Sequence, residues 1–156
     1  MAMSDRIFLI NHGVVQQCGT PREIYNHPAN QFVADFLGKV DFFKGEVSEG
    51  KIVFSGMRGQ SVPYVGDRTG KVDVAVRPEN LYFAEDGPLR GILETQYYLG
   101  DVNDCRVRIG DVPVRVIAGG YLYDRLSPGQ EVRLQVRDMM VFPDDGTLEQ
   151  MLTIRT

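Results

Sequence analysis

The chain has 156 residues and a formal net charge of -4, which is enough length to bury a core without disulfides, as one domain or two small ones. The acidic balance argues against a general nucleic-acid binder, because such proteins usually carry an excess of lysine and arginine. No apolar run approaches the roughly 20 residues of a membrane-spanning helix, and the N-terminus lacks the basic-then-apolar pattern of a signal peptide.

The first predicted element is a β-hairpin. In Arg6–Ile10 ("RIFLI") the last four residues are all apolar, which is typical of a strand buried on both faces inside a helix-covered sheet. Asn11-His12-Gly13 predicts a tight turn, because Asn and Gly accept a positive φ, and Val14–Cys18 returns as the second strand. Since few residues precede the hairpin, we expect the rest of its sheet to lie outside this chain.

Two short helices are predicted next. Thr20-Pro21-Arg22-Glu23 has the pattern of a capping box with proline at the first helical position. Asn26-His27-Pro28 ends this helix, since the residue before proline avoids the α region, and His27 is interpreted as a cap or surface residue. A second helix is predicted from about Pro28 to Leu37, with Gly38 as its C-cap and one apolar face made of Phe32, Val33, Phe36 and Leu37.

This N-terminal segment carries a family resemblance. "MSDRIFLINHGVVQQCGTPREIYNHPANQFVADFLG", residues 3–38, resembles the end of the nucleotide-binding domain of ABC importer ATPases of the maltose, polyamine, sulfate and ferric-iron group. The pattern that carries it is G-T-P-x-E-I-Y…P-x-x-x-F-V-A-x-F-L-G. The resemblance implies that the hairpin and helices follow the switch-histidine loop and close the ATPase domain. His12 does not match the switch histidine, which would fall before Met1.

The ATPase motifs of that family are absent from the sequence. There is no GxxxxGK[ST] phosphate loop, no apolar strand ending in Asp beside a catalytic Glu, and no LSGGQ-type signature. Phosphate binding needs a glycine-rich loop with a lysine. We therefore expect a non-catalytic C-terminal fragment with no cofactor of its own, taken from a parent subunit that uses ATP and magnesium.

From residue 39 onward the apolar period changes to two. Short alternating segments separated by glycine and proline turns predict a small β-barrel or sandwich. Pro113 cannot donate to a ladder, so its strand is expected at a sheet edge. The inward positions of the predicted strands are Val72, Val74, Val76, Cys105, Val107, Ile109, Val112, Val114, Val116, Val132, Leu134 and Val136, with Lys71, Asp73, Arg77, Arg106 and Arg108 on the opposite faces.

The β region contains an internal echo. "VDVAVRPENLYFAEDG" from Val72 and "VRLQVRDMMVFPDDG" from Val132 each read as an alternating strand ending in Arg, a short connection, an aromatic and an acidic turn. Gly45-Glu46-Val47 and Gly91-Ile92-Leu93 are placed to open the two halves. We interpret them as two OB-like units, either interleaved or side by side.

Three short motifs in this region are similar to the TOBE regulatory region of the same importers: Arg77-Pro78-Glu79, Leu99-Gly100-Asp101, and Pro128-Gly129 leading to Val132. The resemblance implies a mainly β fold of tandem OB-like barrels over residues 39–156, preceded by the hairpin and two helices of residues 1–38. It also implies pairing across a homodimer, a small-molecule or protein regulator in some members, and a cytoplasmic parent held at the inner face of the membrane by permease subunits.

Candidate ligand residues each have two interpretations. Arg77, Arg106, Arg108 and Arg115 form either an anion site or a solvated strand face. Tyr97 and Tyr98 either stack bases or belong to a core or an interface, and the negative net charge favours the second. Asp101, Asn103 and Asp104 suggest either calcium or ordinary loop polarity. Cys18 and Cys105 have no organising base nearby in the sequence and are interpreted as packed, reduced thiols.

Two functions remain open at this point. The first is a regulatory and dimerisation region of an importer ATPase subunit. The alternative is a free-standing OB-like binding protein for an oxyanion or a nucleic acid, although a free-standing domain has no use for a doubly buried strand without neighbours. Exposure of Ile7–Ile10 on an open strand edge also predicts self-association, most simply as a dimer.

Overall fold

The computed structural model describes residues 5–155, with side chains as far as Met151. These residues form two compact units. The first contains the described residues up to Val40 together with those from Asp144 onward, and the second is Asp41–Pro143. No helix in the described part of the chain combines the length and the apolar character needed to cross a membrane.

The first unit begins with the predicted hairpin, β1 (Ile7–Asn11) and β2 (Val14–Gly19), paired antiparallel with a bulge between Leu9 and Ile10. The turn residues are His12 at φ 51° and Gly13 at φ 76°. Asn11 is the last residue of β1, so the prediction that Asn would supply the positive φ is wrong by one position. A histidine tolerates this left-handed conformation better than most residues with a side chain.

The faces of β1 differ from the prediction of a strand buried on both sides. Leu9 is buried, but Phe8 and Ile10 are 63% and 59% exposed, as are Val14 and Val15 of β2 at 60% and 54%. One face of the hairpin therefore packs within the unit, and the other presents an apolar surface to solvent.

The two predicted helices are present, and both are shorter than typical helices. Helix α1 (Pro21–Asn26) has the predicted capping box: Thr20 Oγ1 accepts from the Glu23 N–H at 3.2 Å, and Glu23 Oε2 accepts from the Thr20 N–H at 3.4 Å. Helix α2 (Gln31–Phe36) starts three residues after Pro28, because the Asn30 side chain accepts from the Val33 N–H at 3.0 Å and sets the N-cap.

The buried face of α2 is also rotated from the prediction. Gln31, Val33 and Ala34 are buried, whereas Phe36 is 60% exposed. The helix ends at Leu37 in an αR conformation rather than at a left-handed glycine. Leu9, Ile24 and Val33 form the centre of a small core to which Ile7, Phe32 and Leu37 add.

A third helix, α3 (Thr147–Arg155), contacts α2. Leu148 and Met151 of α3 are buried. The sequence predicts a single β region over residues 39–156, without this helix. The structure instead places the residues from Asp144 onward in the first unit, so the spatial division of the chain differs from the predicted boundary after residue 38.

The second unit is built from two five-stranded antiparallel sheets. The strands are β3 Asp41–Ser48, β4 Lys51–Phe54, β5 Ser61–Pro63, β6 Gly70–Val76, β7 Leu81–Phe83, β8 Leu89–Tyr98, β9 Val102–Ile109, β10 Val112–Gly119, β11 Glu131–Val136 and β12 Met140–Pro143. The first sheet has the order β12-β6-β3-β4-β5, and the second has the order β10-β9-β8-β11-β7. Short 3-10 helices occupy Pro78–Asn80 and Gly120–Arg125.

The two similar sequence segments belong to two structural repeats, and the strands of the repeats are interleaved between the sheets. Strands β6-β3-β4-β5 follow the same order in the first sheet as β11-β8-β9-β10 in the second. Strand β7 then leaves the first repeat to pair with β11, and β12 leaves the second to pair with β6. Each repeat thus completes the other's sheet with its final strand, and we call this arrangement the strand exchange.

One core lies between the two sheets, with side chains from every long strand of both. Ten of the twelve predicted inward positions are buried, and Val112 and Val136 are partly buried against the same core. Strand β10 is a sheet edge, as Pro113 predicted. These observations confirm the mainly β, OB-like class of fold, preceded by a hairpin and two short helices.

Candidate functional site

Two of the three short motifs noted in the sequence, Arg77–Glu79 and Leu99–Asp101, lie in connections between strands. Arg77-Pro78-Glu79 leads from β6 into the first 3-10 helix, where the Asn80 N–H donates to the Arg77 carbonyl at 2.8 Å. Arg137 closes this connection, with Nη1 donating to the Glu79 carbonyl at 2.9 Å and the guanidinium 4.8 Å from the ring centre of Tyr82.

The expectation that Arg77 lies on a solvated face is wrong. Its side chain is only 3% exposed, and strand β6 is buried on both sides, with Asp73 fully buried and 2.7 Å from Lys44 Nζ. Strict alternation of apolar and polar residues predicts one solvated face. The tertiary structure covers both faces of this strand, and the polar positions are paired rather than hydrated.

Leu99-Gly100-Asp101 makes the turn between β8 and β9. Gly100 adopts φ 88°, which explains the glycine, and the Leu99 N–H donates to the Val102 carbonyl at 2.9 Å. The Asp101 carbonyl accepts from the Gly120 N–H at 2.9 Å. The turn and the second 3-10 helix are therefore joined through the backbone.

Four exposed tyrosines gather at this end of the unit, and we call them the tyrosine cluster: Tyr97, Tyr98, Tyr121 and Tyr123. Tyr98 and Tyr123 lie with ring centres 5.5 Å apart, and the Arg125 guanidinium lies 5.6 Å from the ring centre of Tyr121. Exposed fractions are 59% for Tyr97, 58% for Tyr98 and 68% for Tyr121, beside Leu99 at 64%.

A partly buried pair of amide side chains links strand β8 to the backbone at Tyr123, one of the cluster residues. Asn103 is fully buried and donates from Nδ2 to Gln96 Oε1 at 2.9 Å. Gln96 Nε2 donates onward to the carbonyls of Leu126 at 2.9 Å and Tyr123 at 3.2 Å. Asn103 thus points into the barrel, away from its neighbours Asp101 and Asp104.

The other arginines are held by carboxylates. Asp104 accepts from Arg115 Nη2 at 3.0 Å, Arg115 Nε at 3.2 Å and Arg106 Nη1 at 2.6 Å. The hydrogen bond from Arg115 is the main reason that the pKa of Asp104 lies below its ordinary value. Arg108 is bound to Glu94 at 3.1 Å and donates to the Asp111 carbonyl at 3.3 Å.

The pKa of Asp41 is shifted in the opposite direction from that of Asp104. Asp41 Oδ2 accepts from the Arg115 backbone N–H at 3.0 Å, yet burial outweighs this bond and raises the pKa of Asp41 above its ordinary value. Cys105 is fully buried, and burial raises the pKa of its thiol to about 11, which fits a packed and unreactive cysteine.

The structure thus separates most of the predicted ligand residues. Arg106 and Arg115 share Asp104, but Arg77, Asp101 and Asn103 lie in different surroundings. Among residues 5–155, no three His, Cys, Asp or Glu side chains are grouped to hold a metal ion. Two further arginines, Arg58 and Arg90, line a groove with Arg108 and were not among the predicted ligand residues. The turn "GMRGQ" around Arg58 was the available sequence signal.

Comparison with known proteins places these features in a family. Residues 74–142 match the TOBE domain model. The spermidine/putrescine import ATP-binding protein PotA of Pseudomonas fluorescens is 38% identical across 86% of this chain and 40% of its own length. PotA of Ruegeria pomeroyi is 34% identical across 97% of this chain and 42% of its own.

A third relative is the Fe(3+) ions import ATP-binding protein FbpC of Fusobacterium nucleatum, 30% identical across 94% of this chain and 42% of its own. The chain therefore spans about two fifths of the length of these relatives. Among solved structures, the cytoplasmic molybdate-binding protein ModG has a similar fold, with a TM-score of 0.57 and 16% identity over 66% of this chain and 95% of ModG.

Proposed function

Because the chain belongs to the TOBE-containing ATP-binding subunits of ABC importers, we propose that it is the non-catalytic regulatory and dimerisation region of such a subunit. In this proposal the ATPase part of the subunit couples ATP hydrolysis to solute uptake through permease subunits at the cytoplasmic face of the membrane. The observation that carries the proposal is that the likeness covers 97% of the chain in one relative, and so includes both units.

The first unit supplies the link to the ATPase part. Phe8 and Ile10 on β1, with Val15 opposite Ile10 on β2, present one apolar hairpin face to solvent. Burying such a side chain is worth roughly 1.5–3 kcal/mol relative to exposure. We assign this face to packing against the remaining sheet of the nucleotide-binding domain, where a strand apolar on both faces belongs.

The second unit supplies the contact between subunits. Tyrosine is enriched in protein interfaces, because it buries a large area at a small cost in side-chain entropy. The tyrosine cluster is exposed, and the Gln96–Asn103 pair fixes the backbone beside Tyr123 before any partner arrives. A preorganised surface loses less entropy on association than a mobile one.

Sedimentation velocity over a range up to about 100 µM, far above a micromolar dissociation constant, tests this assignment. We expect a dimer for the unmodified chain, a shift to monomer for Tyr98→Ser/Tyr121→Ser, and a persistent dimer for the control Phe8→Ser/Ile10→Ser. A monomer at every concentration contradicts dimerisation by this region. A dimer lost only in the hairpin variant assigns the contact to the exposed apolar hairpin face instead of the tyrosine cluster.

The importer assignment is better supported than the oxyanion-binding alternative. At 16% identity the likeness to ModG is one of fold, and it covers 66% of the chain, whereas the importer subunits match up to 97% of it. By similarity to the importer subunits, we therefore expect this chain to regulate and pair ATPase subunits without hydrolysing ATP itself.

A further inference from the structure

A groove of about 500 Å³ crosses the outer face of the second sheet, along its central strand β8. Arg90, Ile92 and Glu94 alternate along β8 and point into it. Arg108 of β9 and Glu131 of β11 lie directly opposite Ile92 on the two neighbouring strands. At about 3.3 Å per residue, the row that contains Arg108 and Glu131 lies roughly 7 Å along the strand from Arg90.

A rigid loop brings a third arginine to the Arg90 end of the groove. The segment between β4 and β5 is anchored by two hydrogen bonds between Gln60 and the backbone of Arg90, at 2.6 and 3.0 Å. The Gly56 carbonyl accepts from the Asp111 N–H at 2.8 Å, and Met57 is buried. The tip of this loop carries Arg58, which lines the groove.

Arg58 is held in a conformation that costs energy. Its φ is 56°, in the left-handed region that side-chain-bearing residues rarely occupy. Strained residues persist where the surrounding structure imposes them, and they concentrate at functional sites. A glycine at this position would adopt the same φ without strain.

The charges in the groove are unevenly distributed along it. Arg108, opposite Ile92 and halfway along the groove, is bound to Glu94 at the far end. Within the described residues, the guanidinium groups of Arg58 and Arg90 have neither a hydrogen bond nor an ion pair. Two free, planar donors at one end of a groove are suited to a carboxylate or phosphate group. Glu131, halfway along, is an acceptor for the hydroxyl groups of the same ligand.

We propose that this groove binds a small hydroxylated organic anion, with its phosphate or carboxylate between Arg58 and Arg90, its carbon skeleton against Ile92, and a hydroxyl group donating to Glu131. None of the residues that line the groove belongs to the tyrosine cluster.

Isothermal titration calorimetry with glycerol 2-phosphate, inorganic phosphate and malate measures binding directly. We expect saturable binding of at least one of the two organic anions, and a loss of at least tenfold in affinity in Arg58→Gln and Arg90→Gln. The matched control Arg125→Gln removes an exposed arginine outside the groove and should bind normally. Equal weakening in all three variants would mean general charge attraction and would overturn the proposal, as would the absence of saturation for all three probes at 10 mM, a thousandfold above a dissociation constant of about 10 µM.

Two further variants separate binding from folding. Arg58→Gly should leave the melting temperature unchanged or raise it, because glycine accepts this φ, and should still lose at least tenfold in affinity. Glu131→Gln should reduce the preference for glycerol 2-phosphate over inorganic phosphate. If Arg58→Gly lowers the melting temperature and keeps the affinity, Arg58 is a structural residue and the proposal fails.

Discussion

Arg115 contacts two carboxylates whose pKa values are shifted in opposite directions. The pKa of Asp104 is lowered by guanidinium hydrogen bonds, so its contribution to stability is present above the ordinary value of about 3.9 and is lost as the pH falls through the lowered pKa. The pKa of Asp41 is raised by burial, so its contribution is present below that ordinary value and is lost as the pH rises through the raised pKa.

Urea unfolding between pH 3 and pH 7 should resolve the two carboxylates. Asp104→Asn should destabilise the protein by about 1–2 kcal/mol at neutral pH, and the gap from the unmodified chain should close as the pH falls below about 4. Asp41→Asn keeps an acceptor for the Arg115 N–H and removes the buried charge, so its stability relative to the unmodified chain should improve as the pH rises from about 4 to 7. A gap that is independent of pH for either variant would contradict the corresponding pKa shift.

For single residues, prediction of burial from sequence succeeded on some strands and failed on others. Alternation correctly placed Cys105 and Val107 inside and Arg106 outside, because β9 has one solvated face. The same rule failed for Arg77, since β6 is covered on both faces. Arg58 was not identified as a candidate, because it reaches the same groove as Arg90 only through a loop that bonds to the other sheet. No local sequence period encodes the bond between Gln60 of this loop and Arg90.

Helix α1 is short, and its stability should depend on its N-terminal cap. Thr20→Ala removes the acceptor for the Glu23 N–H and should cost roughly 0.5–2 kcal/mol. Because Ile24 of α1 is fully buried beside Leu9 and Val33, the loss should reach the core of the first unit.

Hydrogen exchange of the α1 amides, together with a thermal melt, measures this effect. Thr20→Ala should speed exchange at Ile24 and His27, whose N–H groups bond to the carbonyls of Thr20 and Glu23, and should lower the melting temperature. Thr20→Ser keeps the hydroxyl and is the matched control. An unchanged melt and unchanged exchange would show that α1 does not need this cap.

Elements that are encoded by a few neighbouring residues were predicted correctly from the sequence, and the other elements were not. The capping box, the hairpin and the β-edge proline are each encoded within a few residues, and all three are present. Helix α3 was missed although Leu148 and Met151, three positions apart and both buried, have the spacing of one helix face. The start of α2 was missed because Asn30 was not recognised as the cap.

For the whole second unit, the strand exchange makes a prediction about dividing the chain. A cut between the exposed residues Glu85 and Asp86 separates the two repeats but leaves β7 and β12 each with the repeat that does not use it. We expect neither fragment to show a cooperative melt alone, because each sheet lacks its outer partner strand. An equimolar mixture should recover the β-sheet circular dichroism of the uncut chain, and a fragment that melts cooperatively alone would contradict this.

The strand exchange also bears on how the two repeats of the second unit evolved. A shorter ancestral protein with a single repeat would have had no place for its last strand in its own sheet, and a second copy would have been required to accept it, as in a domain-swapped dimer. Duplication and fusion of such a gene would turn that obligatory pair into one polypeptide, with the segment from Ala84 to Pro88 as the joint between former partners. The two outermost strands would then be the record of an intermolecular contact that became intramolecular.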